Sequence, residues 1–375
     1  MMYHVGNKID LPNILFVGPL TQLHGQGIVT SFVYEIIKKK GIIHLISTHY
    51  ASNKRINKVP YGLLILVKLF FKLIILSVYN NNFIIYFTPS RNFFGSNRDF
   101  FLLFTLKIIF YFKKSDSIKI IAHLHGSELS EFLGYSIYGK VLKNLYLACG
   151  VKMIVLSKKH RDLSLGKSYN NYIIIRNPVT KNLSKKNKLL KNYYNKGEVV
   201  KISFISNPIK DKGLKESINW CESFFKNVNW ELNVVGWTNS DFKRVYNNGV
   251  NSKRIIFHGF LEGEKKYNIL KNTHLLILNS KFEAQPLVVI EALLFECVVI
   301  LSNIEMLREF KHFSNVKFFT DASLSERIII NLLKDKNRIK ENSRIASKVF
   351  SYERFSKKIL NIFGLENNFE NYIGK

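Results

Sequence analysis

The chain has 375 residues, more than one ordinary core accommodates, which points to two domains or one large one. With 47% hydrophobic and 22% charged residues it is a folded globular protein, not a disordered chain. Its formal charge of +29 asks for a polyanionic neighbour (nucleic acid, an anionic membrane surface or a phosphate-bearing substrate), unless it reflects a coding bias toward Lys, Asn, Ile, Phe and Tyr.

The N-terminus lacks a basic start followed by a long apolar stretch, so no secretory signal is evident and a cytoplasmic setting is expected. From Asn13 to Arg176 short β-rich runs alternate with longer helical ones, at 13–18, 42–47, 83–88, 118–125, 153–157 and 172–176. Each run is almost continuously apolar, as parallel strands covered on both faces are. Residues 1–180 therefore read as one doubly wound α/β domain.

Two helical stretches in it are unusually apolar, 63–79 and 100–114. The first is a poor transmembrane span: at about 1.5 Å per residue it falls short of a roughly 30 Å hydrocarbon core. Lys68 and Lys72 at its centre would each cost about 2.5–3.5 kcal/mol. Two readings stay open: buried sheet-covering helices, or partly exposed ones lying in a membrane interface with lysines toward lipid phosphates.

The Lys- and Asn-rich stretch 181–198 breaks the rhythm and is the best linker candidate. A second alternation follows at 199–206, 230–236, 254–259, 274–280, 298–302 and 316–320, so residues 199–350 read as a second Rossmann-like domain. Residues 351–375 form a helical end segment, expected to pack back on the first domain. Cys149, Cys221 and Cys297 are odd in number, far apart and set in apolar runs, as buried thiols in a reducing compartment are.

The richest segment is NSKFEAQPLVVIEALLFECVVILSN (279–303), which reads strand, loop, helix, strand. Pro286 suits the first helical turn, where a missing N–H costs nothing. The amides of Leu287 and Val288 are then unpaired donors at a positive helix end, which receives a phosphate readily. Glu283 lies in the loop and Glu291 just over one turn inside the helix, leaning back toward the same mouth. Two acids beside an anion site fit a ligand that carries hydroxyls as well as phosphate; the alternative is a surface Glu and a helix-capping Glu. In VGPLTQLHGQG (17–27), Gly25 and Gly27 let the backbone approach a ligand and present amides near a helix start, although an ordinary strand-to-helix turn gives the same pattern. IIAHLHGSE (120–128) ends a strand with His123 and His125, and His125-Gly126 lies nearer the carboxyl edge, where such sheets bind ligands. A hydrogen-bonded core histidine is the alternative, and no metal-ligand spacing is evident.

The sequence resembles the family 4 retaining glycosyltransferases, which have the two-domain GT-B fold. Their pattern S-x-x-E-G-x-P-x-x-x-x-E-A is matched by Ser280, Glu283, Pro286, Glu291 and Ala292, with Ala284 in place of Gly and Glu296-Cys297 where a small pair is usual. FISNPIKDKGL (204–214) is similar to their strand followed by G-R-x-x-x-x-K-G: Lys212 and Gly213 align, and Asn207 stands at the Arg position. The Gly25/Gly27 loop, the His125 turn, Asn177-Pro178, Gly236 and the stretch from His258 through Phe260 to Leu261 follow in family order, so the resemblance runs along the whole chain.

The resemblance implies two Rossmann-like domains facing each other across a cleft, and a retaining transfer from a nucleoside-diphosphate sugar without metal or cofactor. Lys212 and the Leu287 and Val288 amides would stabilise the departing diphosphate. Glu283 would hold the sugar, Glu291 the ribose, and His125 the sugar from the other domain, with Gly236, His258 and Phe260 flanking the base. The resemblance implies a nucleotide sugar and a glycan acceptor as partners; the basic charge and apolar helices add the expectation of a lipid-linked acceptor and an anionic membrane surface, in cell-envelope polysaccharide or lipopolysaccharide assembly. A nucleotide-sugar epimerase of the same fold is the nearer rival. A basic nucleic-acid-binding protein is the other, but the charge is spread along the chain and no nucleic-acid motif appears.

Overall fold

The structure is a computed structural model that describes residues 11–21, 24–48, 58–80, 82–90, 93–112, 117–126, 132–133, 136–180, 183, 191–247, 249–250 and 252–366. It forms two compact units: Met1–Ile175 with Ser356–Lys375, and Arg176–Phe355.

In chain order the first unit contains β1 (Asn13–Gly18), α1 (Gly25–Ile37), β2 (Ile42–Ser47), α2 (Lys58–Tyr79), β3 (Phe83–Phe87), α3 (Phe93–Phe112), β4 (Ile118–His123), α4 (Ile137–Ala148), β5 (Lys152–Val155), α5 (Lys158–Ser164) and β6 (Tyr172–Ile174). The second contains β7 (Val200–Ile205), a 3₁₀ turn (Lys210–Lys212), α6 (Leu214–Phe224), β8 (Trp230–Val235), α7 (Asn239–Tyr246), β9 (Ile255–Gly259), α8 (Gly263–Asn272) and β10 (Leu275–Leu278). It continues with α9 (Leu287–Leu294), β11 (Val298–Leu301), a 3₁₀ helix (Leu307–His312), β12 (Val316–Phe318), α10 (Glu326–Lys334) and α11 (Lys336–Val349). The last helix, α12 (Tyr352–Phe363), begins in the second unit and passes into the first.

The first sheet has the order β2-β1-β3-β4-β5-β6 with every pair parallel. Its central strand β3, FIIYF, is buried along its whole length, which explains a run with no polar alternation. On one face α2, α3 and α4 insert Leu69, Leu73, Leu103, Leu106 and Leu142 against Leu15, Phe83 and Ile85. On the other, Tyr86 stacks on Phe16 and meets Phe363 of α12, while Lys358 of α12 donates to Ile174 O at 2.9 Å.

The apolar helix α2 is buried along one stripe and exposed along another. Leu69, Leu73 and Leu76 of α2 are sealed in the core, while Leu63, Phe71 and Val78 stand 62%, 59% and 68% exposed. The segment Tyr61–Tyr79 has a mean hydropathy of 2.2 and is by composition alone long and apolar enough to cross a membrane.

The second sheet has the order β12-β11-β10-β7-β8-β9, again parallel. Counted from β7 this is the 3-2-1-4-5-6 order of dinucleotide-binding folds, and its strand order reverses between β7 and β10. Ligands bind such sheets in the crevice beyond the carboxyl ends of the two strands at that reversal. Within 181–198, Lys191 anchors the chain to this unit by donating to Leu270 O at 3.3 Å and to Thr273 O. The three cysteines are free and buried; burial pushes the Cys149 thiol up to about 11, so it is not a nucleophile at neutral pH.

Candidate active site

The loops after β7 and β10 meet beyond the reversal point of the second sheet. Lys281 N–H donates to Asp211 O at 2.8 Å, and the buried Ser280 hydroxyl lies within 3.3 Å of Asp211 O and 3.2 Å of Phe282 O. Ser280, expected to touch substrate, is placed where its hydroxyl ties the two loops to each other through their backbones. Gly213 makes the approach possible: it adopts φ 74°, and a Cβ there would stand 2.1 Å from Asn279 O. This close approach is what places Lys212, at the end of its 3₁₀ turn, against Glu283: Nζ and Oε1 are 2.5 Å apart.

α9 starts one residue later than the sequence suggested. Pro286 is its N-cap, with φ −68° and ψ 125°, because the ring fixes only φ and ψ remains extended. Val289 N–H already bonds Pro286 O at 3.2 Å, so the amides of Leu287 and Val288 precede the first bond of the helix. Glu291 sits one turn further in, 5% exposed. Its two oxygens accept from Lys266 Nζ of α8 at 2.7 and 2.8 Å. Lys266 escapes sequence reading because it lies 25 positions before Glu291 on another helix, outside any matched pattern.

A second group missed in the sequence fixes the same loop. Gln285 accepts from Asn177 N–H at 2.6 Å through its side-chain oxygen, and its carbonyl accepts from the Asn177 side-chain amide at 2.9 Å. Gln285 Nε2 in turn donates to Glu309 Oε1 at 2.8 Å. Burial raises the Glu309 carboxyl to about 7, against the lowering effects of the Gln285 bond and the Arg176 charge. The Asn177-Pro178 turn thus clamps Gln285, the residue just before Pro286.

The remaining predicted residues of this unit have varied placements. Gly236, at φ 90°, lets its backbone lie where a Cβ would stand 2.1 Å from Ser206 O, at the tip of β8. Asn207 is exposed, and its carbonyl accepts from Ile209 N–H at 2.8 Å. His258 sits in the register shift between β8 and β9 and pairs with Asn233 Oδ1 at 2.7 Å, its pKa lowered by burial although Glu231 pulls it up. Phe260, just after β9, is 54% exposed.

In the first unit the carboxyl edge carries a histidine cluster and a buried ion pair, Arg98 with Asp99, which binds Thr88 O and Ser90 N–H just after β3. His123, the last residue of β4, is fully buried and bonded through Nδ1 to the Tyr86 hydroxyl at 2.9 Å. His125 follows two residues later, in the loop, with its ring 4.0 Å from that of His123 and its Nε2 buried without a partner among the described residues. Burial first, then His160 and His24, lower its pKa to about 3, so it is a neutral imidazole at pH 7. Burial lowers His160 to about 4, although its Nε2 lies 3.1 Å from Gly126 O and that bond pulls the other way. Gly126 has open space where a Cβ would be, so its place in the turn is not steric.

The Gly27 amide is capped by His24 Nδ1 at 3.0 Å, and its missing side chain accommodates Thr21, whose Cγ2 would lie 2.2 Å from a Cβ. Gly27 therefore serves packing and capping, and Gly25 is the first residue of α1.

Residues 186–348 match the family described as Glycosyl transferases group 1. A comparison with curated proteins finds no match. Among solved structures, HepE of Anabaena in complex with UDP and glucose superposes with a TM-score of 0.63 at 14% identity, over 94% of this chain and 99% of that one. Sucrose-phosphate synthase from Thermosynechococcus elongatus gives 0.66 at 13%, over 94% and 98%. The lipopolysaccharide outer core galactosyltransferase WaaB gives 0.62 at 14%, over 94% and 99%. At these identities the likeness concerns fold, and it is the GT-B fold. The family match lies within the second unit, and the fold match extends along both.

Proposed function

We propose that the chain is a retaining glycosyltransferase that moves a sugar from a nucleoside-diphosphate sugar to a hydroxyl of a glycan or lipid-linked acceptor, in the building of cell-envelope polysaccharide. The observation that carries this reading is the Lys212–Glu283 pair, its acid in the loop that leads to the first amides of α9, which have no partner among the described residues, at the reversal point of the second sheet. HepE binding UDP and glucose on the same fold supports the donor class.

When the sugar–phosphate bond breaks, negative charge grows on the departing diphosphate, and a fixed cation with two helix amides stabilises it more than the ground state. In the free chain Lys212 and Glu283 neutralise each other. A donor diphosphate draws Lys212 onto itself and releases the Glu283 carboxylate to accept from sugar hydroxyls. Glu291, held in place by Lys266, retains lone pairs for the ribose hydroxyls. Neutral His125 is assigned to a sugar hydroxyl, since one ring nitrogen donates and the other accepts. Because the cationic groups are the protein's own, no metal is assigned to the step, and no covalent nucleophile is assigned either.

The test is a panel of nucleotide sugars, read by thermal stabilisation and by slow donor hydrolysis. One donor should raise the melting temperature of the wild-type chain and be hydrolysed slowly, and Glu283→Ala should keep the fold while losing turnover. Wild-type turnover in that variant would sink the assignment, and an epimerised nucleotide sugar as the sole product would favour the epimerase reading.

A further inference from the structure

The outward faces of α2, α3 and α4 have no role in the donor site. The three helices are neighbours on one face of the first sheet: Phe70 of α2 meets Phe101 of α3 with ring centroids 6.2 Å apart, and Phe100 of α3 meets Tyr138 of α4 at 5.8 Å. Their inner stripes belong to one core, and their outer stripes are apolar too. Leu63, Phe71 and Val78 on α2, Ile108 on α3 and Ile137 on α4 stand 62%, 59%, 68%, 50% and 83% exposed. Single exposed leucines need no explanation, but a continuous field of them over three adjacent helices marks an interaction surface.

We propose that this face docks in the plane of an anionic lipid bilayer, with the rest of the molecule in water. Charge decides the partner. The one acidic residue in all three helices is Asp99, fully buried and bonded to Arg98, so the exposed charges are cations: Lys68 on α2, Lys107 on α3 and Lys140 on α4. Lysines set among apolar side chains extend their ammonium groups to lipid phosphates while their stems stay in the apolar layer. Cations of one sign among apolar side chains match a surface that is uniformly anionic with hydrocarbon beneath it, as an anionic bilayer is.

Exposed aromatics add a second feature. α2 and α3 each lead into a neighbouring parallel strand, so their carboxyl ends lie at the same edge of the sheet. There Tyr79, Tyr111 and Phe112 are 81%, 86% and 82% exposed, and aromatic rings of this kind anchor proteins at the water–lipid boundary. Spanning is a poorer solution for α2: withdrawing it would strip Leu69, Leu73 and Leu76, all at most 1% exposed, from the core of the first unit.

The experiment is flotation of the full chain with phosphatidylcholine vesicles, with and without phosphatidylglycerol, beside a vesicle-free control. The wild-type chain should float with the anionic vesicles alone, and less so as salt rises. Lys68→Glu with Lys107→Glu should weaken binding at least tenfold, since each basic residue near such a surface contributes about 1 kcal/mol, or fivefold. Phe71→Ser with Phe112→Ser should abolish it. All four positions are exposed, so melting temperature and donor-induced stabilisation should be unchanged; loss of donor binding alone would count against the proposed function and not against docking. The proposal is overturned if the chain floats with neither vesicle, resists alkaline extraction as a spanning protein does, or forms a dimer that Phe71→Ser with Phe112→Ser dissociates while vesicle binding persists.

Discussion

At the carboxyl edge of the second sheet the loops and the helices they lead into present two ion pairs, Lys212 with Glu283 and Lys266 with Glu291, beside a helix amino end. At the same edge of the first sheet, built on the same parallel plan, His123, His125 and His160 cluster with their pKa values all lowered by burial, and the pair beside β3, Arg98 with Asp99, is buried and engaged by Thr88 O and Ser90 N–H. The two edges differ in what they can hold. Fixed charge pairs exchange partners with a diphosphate, whereas neutral imidazoles offer one donor and one acceptor and suit hydroxyl groups. A shared fold thus leaves the chemistry to a few loop residues.

The comparison breaks most sharply at Lys212. Lys212→Met should lower turnover about 10²–10³-fold, as loss of one transition-state donor does. Glu283→Ala should do the same, and the double variant should fall little further, because the two groups act as a unit. Steady-state donor hydrolysis reads this; additive losses would show that the pair does not work as one.

Next in size is Lys266→Met, which leaves the buried Glu291 carboxylate unpaired and should destabilise the chain by about 3 kcal/mol. Lys266→Met with Glu291→Met should recover most of that stability in thermal melts without recovering donor binding.

The histidine edge predicts a pH effect with a definite sign. His123, His125 and His160 hold folded pKa values below the ordinary 6.5, so between 6.5 and the folded values the unfolded chain binds protons that the folded chain refuses. Stability is full above 6.5 and falls with acid, by up to about 1.4 kcal/mol per pH unit for each histidine. His160→Gln should flatten the drop in melting temperature between pH 6.5 and 4.5.

Glu309 in the second unit runs the other way and gives the smallest effect. Its folded pKa of about 7 lies above the ordinary 4.5, so its contribution is present in acid and lost as pH rises. Glu309→Gln should therefore stabilise at pH 8, by about 1 kcal/mol, and change little at pH 4. Equal effects at both pH values would show that its carboxyl is not raised.

The strands were legible because a strand covered on both faces has no polar alternation to hide it: FIIYF, IKIIAH and VVIL each fall where the apolar runs do. Glu283, Glu291, Pro286 and Lys212 were legible as candidates because their local setting, a strand leading through a loop into a helix, is written in contiguous residues. Lys266, the Asn177–Gln285–Glu309 chain and the His24 cap on Gly27 were not, since each joins side chains whose pairing depends on how elements pack. Pro286 shows the limit within a single loop: its φ is fixed by its chemistry, but its extended ψ, which moves the helix start to Leu287, is set by the surrounding chain.

By itself, then, the sequence determined two parallel α/β sheets, the segments that reach their carboxyl edges and an excess of positive charge, because periodicity and composition are local properties. Tertiary structure alone decided that Lys212 neutralises Glu283, that His125 is uncharged and that the outer sides of α2, α3 and α4 are left uncovered by the described residues. Ion pairing, desolvation and exposure depend on distances between residues far apart in the chain, and no spacing along one dimension encodes them.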